Sequence, residues 1–503
     1  MTHTDTPPPG PDLKLGVPLA IVPATGVLAG HVDGAPVLLA RLDDGIHAVS
    51  GSCTHYGGPL AEGLIVDGEV RCPWHHACFS LRTGAALHAP AFAPLARWNT
   101  EIVCDMVFVR DEDTSPRPAP PRPRTNPERI VIIGGGAAGF AAAERLRDLG
   151  YDGTLTMLSA DDSAPCDRPN LSKDYLAGTA SEDWIPLQGP EFYAEHRIDL
   201  HLDCDVVEID TQSRYVRTTS GDRIAYDALL IATGAEPRRL PMPGFDLPNV
   251  FTLRSLSDAR AIIAASTGAK SVAIVGAGFI GMEAAAALRA RGLDVHVVAP
   301  EAIPMERVLG RELGEFITGL HREHGVVFHL QAKAQSFDGK ALTLGDGSHV
   351  PADLLIVGAG VAPRVALAAA AGMDVQDGIL VDAYLQTSVP GHFAAGDVAR
   401  YRQDADLIRV EHWVHAQRQG QTAAANMLGA GQAFTNVPFF WTHQYDLELR
   451  YSGFAKDWDE VRSDGTLASG DYTARFFRAG KLVAAASVGR DLENLEIEAE
   501  LHS

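Results

Sequence analysis

The sequence predicts a multidomain chain: a small all-β domain at the N-terminus, two α/β domains of dinucleotide-binding type, and a small α/β domain at the C-terminus. Three observations predict it. At 503 residues the chain is too long for one hydrophobic core. The order strand, G-x-G-x-x-G, helix occurs twice, about 140 residues apart. Residues 13–110 read instead as short strands with turn punctuation, such as Pro36 to Leu42 before Asp43-Asp44-Gly45.

The β domain carries two matched boxes. Cys53-Thr54-His55 is followed, after sixteen residues (56–71), by Cys72-Pro73-Trp74-His75. Thiolate and imidazole suit zinc or an iron–sulfur cluster. A structural zinc site does not use a C-x-H gap. A two-iron cluster with a Cys pair on one iron and a His pair on the other does fit. With Gly57-Gly58-Pro59-Leu60 after the first box and Pro73 inside the second, the region resembles a Rieske [2Fe–2S] domain. The resemblance implies Cys53, His55, Cys72 and His75 as metal ligands. Where some Rieske domains add a disulfide, this chain has Gly58 and Trp74, and where high-potential centres have Ser and Tyr it has Ala77 and Phe79. Fewer hydrogen-bond donors imply a potential low for a Rieske centre. His76 stands where the family usually has Gly and reads as a tolerated surface residue.

Residues 112–127 contain six prolines and almost no apolar side chains, so they read as a linker. If fully polyproline II it would span up to roughly 50 Å. A Pro-rich peptide ligand is the other reading of such composition.

Arg129 to Ile133 is a buried-strand run leading into Gly134-Gly135-Gly136-Ala137-Ala138-Gly139 and an Ala-rich helix. The glycines let backbone N–H groups approach a pyrophosphate at the helix start. Ser271 to Val275 and Gly276-Ala277-Gly278-Phe279-Ile280-Gly281 repeat the unit. Two complete units imply two nucleotides.

Leu229 to Gly234 ends in Ala232-Thr233-Gly234, and Thr387 to Asp397 ends in Ala395-Gly396-Asp397. Both resemble the flavin-binding segments of flavoprotein reductases with two dinucleotide domains. Asp167 to Lys173 resembles the R-P-x-L-S-K stretch of oxygenase-type ferredoxin reductases and apoptosis-inducing-factor-like flavoproteins. The resemblance implies that Arg168 and Lys173 contact FAD, that Lys173 pairs with Glu283, and that Asp397 bonds the ribityl chain. Glu411-His412-Trp413 resembles the helix start facing the flavin pyrimidine, and Phe439 to Asp446 the start of the reductase C-terminal domain. Trp413 and Trp441 would cover the ring faces, with core packing as the plainer alternative. Lys173, Glu283 and Trp413 are the expected catalytic groups. Cofactor contacts are expected from Gly134, Gly136, Gly139, Thr233, Gly234, Gly276, Gly278, Gly281, Glu301, Glu411 and His412 as well.

The chain departs from that family at several points. The first acid after the strand Thr154 to Leu158 is Asp161, and Glu301 stands two residues after Ala299. Either could reach a ribose. No Arg lies at 299–302, which favours NADH over NADPH. Cys166 has no second Cys nearby and so cannot form a C-x4-C pair, which excludes the chemistry of disulfide reductases.

Composition bounds the rest. A formal net charge of −22 argues against nucleic acid or anionic membrane as partner. No apolar run is long enough to span a membrane. The N-terminal residues show no apolar export signal and no twin Arg, and the six cysteines show no disulfide framework, so a cytoplasmic setting is expected. The implied organisation is a Rieske domain over 1–111, the linker 112–127, an FAD-binding domain in two segments (128–245 and 371–432) around an NAD(H)-binding domain (246–370), and a C-terminal reductase domain (433–503). The implied function is electron transfer from NADH to FAD, then to the tethered cluster, then to an acceptor the sequence does not name. The alternative is a redox sensor whose NADH-reduced state controls partner binding. In a third reading the flavin serves O2 or a quinone and the Rieske domain is vestigial, against which the four intact ligand positions argue. A homodimer is left open.

Overall fold

The computed structural model describes residues 10–117, 124–403 and 406–502. The linker therefore lies partly outside the described residues. Contacts divide the chain into two units. One takes residues 1–121 together with 490–503, and the other takes 122–489, so the division falls within the linker.

The first unit is built on antiparallel sheets. Six strands lie in the order Val17–Pro18, Met106–Glu112, Arg97–Val103, Gly45–Ser50, Ala35–Leu42 and Val27–Val32. A second sheet orders Leu64–Val66, Glu69–Arg71, Cys78–Ser80 and Ala86–His88. Tight turns set the registers. Val32 pairs with Ala35 around Asp33-Gly34, and Val66 with Glu69 around Asp67-Gly68, with positive φ at all four turn residues. That is the Asp-Gly signature of a two-residue hairpin. The strand Ala35–Leu42 is covered on both faces. Leu38 and Ala40 join Val49, Leu60, Val70 and Phe79, while Val37 and Leu39 join Leu13, Val107 and Val109. Cys53 and Cys72 lie in the first of these cores.

The helix Asp491–His502 groups with this unit. It lies within residues 433–503, which the sequence assigns to the C-terminal domain, and its contacts group it with the β sheets of this unit.

The second unit holds two parallel sheets of matching design. The first runs Ile198–His201, Thr154–Leu158, Arg129–Ile133, Ala228–Ile231, His392–Ala394. The second runs Val250–Phe251, Leu354–Val357, Ser271–Val275, Asp294–Ala299, Val327–Leu330. Every adjacent pair is parallel. Central strands covered on both faces must be apolar throughout, and Ile130 to Ile133 are all buried. Each such side chain contributes about 1.5–3 kcal/mol on burial. The strand His392–Ala394 returns to the first sheet after all strands of the second. A five-stranded antiparallel sheet follows, ordered Phe439–Gln444, Leu447–Gly453, Lys481–Val488, Asp471–Arg478, Glu460–Thr466.

Candidate functional site

The two Cys/His boxes form loops of one design. In the first, the N–H of Cys53 donates to Gly58 O and that of Gly57 to Cys53 O, each at 2.9 Å. In the second, the N–H of Cys72 donates to Ala77 O at 2.8 Å and that of His76 to Cys72 O at 3.1 Å. The fourth residue after each Cys has positive φ: Gly57 at 78° and His76 at 60°.

The loops bring like side chains together. The Cys53 thiol is in hydrogen-bond contact with Cys72, which, with burial, pushes its pKa up. His55 Nδ1 lies 3.2 Å from His75 Nδ1, and burial lowers the His55 imidazole to about 4, which keeps it in the neutral form that can bind a metal. Among the described residues no three or more His, Cys, Asp or Glu groups converge as ligands of a single ion. A thiol pair beside an imidazole pair is instead the donor set of a two-iron centre with two ligands on each iron. Both cysteines are buried, whereas both histidines are half-buried. A Cβ on Gly58 would meet Cys72 Sγ at 2.8 Å, so glycine is what lets the thiols share this space. His76, which reads as a surface residue in the sequence, is buried, at 1% exposed.

In the second unit, a cavity of about 640 Å³ opens at the C-terminal ends of the first parallel sheet. The three glycines of its fingerprint have different work. A Cβ on Gly134 (φ 113°) would meet Ala232 O at 2.2 Å, so Gly134 makes the turn. One on Gly139 would meet Gly134 O at 1.9 Å, so Gly139 lets helix pack on strand and does not line the cavity. Gly136 faces the cavity, with Arg168 Nη2 as its nearest neighbour at 3.8 Å. It also caps the helix Ala137–Asp148 with no side-chain bond, leaving first-turn N–H groups for a ligand. The start of the helix Trp413–Met427 does the same from the other side, through Glu411, His412 and Trp413. His412 is held neutral by burial, lowered to about 4, and its Nδ1 has no hydrogen-bond partner. Thr233, Gly234 and Trp441 also line this cavity. The cradle, the two helix starts and the unpartnered imidazole fit a dinucleotide.

Ion pairs furnish the walls. Arg168 holds Asp161 at 2.7 Å, and Lys173 Nζ lies 2.9 Å from Glu283 Oε2. Glu283 is 5% exposed and takes two further donors: Ser172 Oγ on Oε2 at 2.5 Å and Thr442 Oγ1 on Oε1 at 2.7 Å. Behind it, Gln444 Nε2 donates to Thr442 Oγ1 at 3.0 Å, and His321 Nε2 lies 2.8 Å from Gln444 Oε1. Asp397 is bonded by Arg254 at 2.7 Å, and Arg409 bonds its backbone carbonyl at 3.1 Å. Sequence reasoning missed Arg254, Arg409, Thr442, Gln444 and His321. Thr442 and Gln444 lie within the Phe439 to Asp446 stretch, which gave them no role, and the other three stand in no quoted motif, so only their meeting in space marks them.

A second cavity, of about 550 Å³, repeats the arrangement at the second sheet. Gly276 (φ 114°) turns beneath Gly358 O, and Gly281 packs against Gly276 O outside the cavity. Gly278 has nothing within 4 Å of its Cβ position. Glu301 lines this cavity, and so do Arg307 and Lys333, two cations the sequence reading did not weigh. Phe279 lines both cavities.

Comparison with known proteins agrees with this architecture. Residues 128–420 match the model of the pyridine nucleotide-disulphide oxidoreductase family, 20–99 that of the Rieske [2Fe-2S] domain, and 439–497 that of the reductase C-terminal domain. Apoptosis-inducing factor 3 of Homo sapiens is 32% identical over 476 residues, covering 90% of this chain and 78% of the relative. Rhodocoxin reductase of Rhodococcus erythropolis is 36% identical over 373 residues, covering 73% and 87%. Among solved structures, the covalent putidaredoxin reductase–putidaredoxin complex superposes with a TM-score of 0.71 at 30% identity, covering 75% of this chain and 93% of that one.

Proposed function

The chain belongs to the pyridine nucleotide-disulphide oxidoreductase family and carries a Rieske [2Fe–2S] domain, and from that premise we propose that it moves electrons from NADH through FAD to its own cluster and on to a separate acceptor. It is an FAD-dependent NAD(P)H oxidoreductase. The observation that carries the finer reading is the pair of nucleotide cradles in one unit, with Phe279 lining both and Lys173–Glu283 on the wall of the first.

Bound FAD would supply the exchange between a two-electron hydride donor and a one-electron cluster. The protein's part is binding, orientation and charge. Gly134, Gly136 and the first-turn N–H groups beyond them would hold the FAD pyrophosphate, and Trp413 and Trp441 would flank the ring. Lys173, held by Glu283, keeps a positive charge at the wall where a reduced ring becomes negative. Gly276 and Gly278 would hold the NADH pyrophosphate, and Glu301 its adenosine ribose. Cys53 and Cys72 would bind one iron, His55 and His75 the other. Ala77 and Phe79 supply no hydroxyl donors, which supports a potential low for a Rieske centre. Carrying the cluster on the same chain replaces a diffusing carrier with a local one at high effective concentration.

Protein acceptors of ferredoxin type are named among the relatives, and a one-electron acceptor of that kind is the partner proposed here. No helix among the described residues is long and apolar enough to cross a membrane. The test is an anaerobic NADH titration followed by visible absorbance and EPR. The flavin band should bleach while a reduced Rieske signal grows. Flavin reduction with a cluster that stays oxidised would overturn the relay and turn attention to the sensing alternative.

A further inference from the structure

His76 occupies a place that asks for glycine. In the first loop the same position, four residues after the Cys, is Gly57 at φ 78°, and both loops close through the same two backbone hydrogen bonds. A histidine at φ 60° carries a steric cost that glycine does not. Something its side chain does must offset that cost. Its Nδ1 pairs with Glu498 Oε2, from the helix Asp491–His502, 422 residues further along the chain. The pair is buried, His76 at 1% and Glu498 at 5% exposed. Asn494, Leu495 and Ile497 on the same helix are buried too. The chain thus passes between its two units twice, once through the linker and once at Gly489–Arg490.

We infer that the helix Asp491–His502 is a clasp on the second Cys/His loop, and that Glu498, through His76, is a positioning residue for the adjacent ligand His75. The inference rests on the reading of these loops as cluster loops. His76 is the residue immediately after His75, so the carboxylate that anchors its ring also fixes the backbone from which the His75 imidazole is presented. The last strand of the reductase's C-terminal sheet, Lys481–Val488, leads directly into the clasp. The cluster loop is therefore joined to the start of the reductase segment through the chain and to its end through the His76–Glu498 contact.

The inference separates two substitutions in the full-length holoprotein. Glu498→Ala leaves a buried imidazole without its carboxylate on a residue still held at positive φ. His76→Gly removes the contact and the steric cost together. Glu498→Ala should speed loss of the cluster's visible circular dichroism under chelator about tenfold or more, and should shift the EPR g-values of the reduced cluster. Glu498→Gln, which keeps an acceptor, should recover part of both. His76→Gly should keep the cluster nearly as well as the parent. In both Glu498→Ala and His76→Gly, amide hydrogen exchange over 491–502 should rise about tenfold, with flavin content unchanged as the control for the second unit. If Glu498→Ala does not fold, the exchange in His76→Gly decides alone. Unchanged exchange over 491–502 in whichever variants fold would overturn the clasp. Faster exchange with unmoved g-values would overturn the positioning role. A parent protein that binds no cluster would instead defeat the underlying reading, and the exchange result would still stand by itself.

Discussion

Thr442 Oγ1 donates to Glu283 Oε1 across 2.7 Å, joining the C-terminal antiparallel sheet to the helix that follows the second glycine fingerprint. Behind Thr442 the donors run one way. Burial keeps His321 neutral, at about 4, and Tyr445 protonated, up to about 12. Tyr445 OH therefore donates to His321 Nδ1 at 3.3 Å and His321 Nε2–H to Gln444 Oε1, while Gln444 donates to Thr442. A chain of donors that ends on a carboxylate stabilises its negative charge, and that charge holds Lys173.

Thr442→Val removes the terminal donor while keeping the volume. A hydrogen bond to a charged group contributes about 1.5–3 kcal/mol, so chemical denaturation should show a loss of that order. Thr442→Ser should restore most of it, since the hydroxyl survives. Equal stability of the Val variant and the parent would mean that Glu283 is held adequately by Lys173 and Ser172.

Lys173→Met leaves the Glu283 carboxylate buried without its cation. Breaking a buried pair from one side costs about 3–5 kcal/mol. If Lys173 supplies charge to the reduced ring, stopped-flow reduction of the flavin by NADH should also slow by about 10²-fold or more. A variant that retains flavin and reduces it at the parent rate would remove Lys173 from the chemistry.

Gly134→Ala and Gly136→Ala should part company. The first places a methyl 2.2 Å from a backbone carbonyl at φ 113°, and should abolish folding or flavin retention outright. The second meets only the Arg168 side chain, at 3.8 Å. It should fold normally and lose FAD affinity by about tenfold or more, read by flavin fluorescence on dilution.

The buried His321 gives a pH dependence with a definite sign. Its folded-state pKa lies below the unfolded 6.5, so its contribution to stability is complete above pH 6.5 and fades as pH falls toward about 4. The loss is of the order of 3 kcal/mol for this group. His412 and His415 are depressed by burial as well and add to the slope. Unfolding midpoints measured from pH 7.5 to 4.5 should fall for the parent and fall less steeply for His321→Gln.

Glu301→Ala tests nicotinamide preference. If the carboxylate bonds the adenosine ribose, KM for NADH should rise about tenfold, with little change in kcat. With Arg307 and Lys333 lining the same cavity, use of NADPH should improve in the variant. A parent that prefers NADPH would show that those cations, and not Glu301, set the choice.

The parts legible in the sequence were those whose chemistry is local. A strand ending in G-x-G-x-x-G specifies its own turn, because Gly134 and Gly276 must pass beneath a carbonyl that no side chain tolerates. The spacing of each Cys/His box likewise sets a loop closed by its own backbone hydrogen bonds. The fold class, both glycine turns and the meeting of the two Cys/His boxes follow from such short stretches. The tertiary structure alone decided what holds them: Arg254 on Asp397, Thr442 on Glu283, and Glu498 on His76. Those partners lie 143, 159 and 422 residues apart. A side chain's burial and its partner depend on which surfaces the packed elements bring face to face. No local pattern of residues encodes that, which is why a histidine that reads as a surface residue proves to be buried against the last helix.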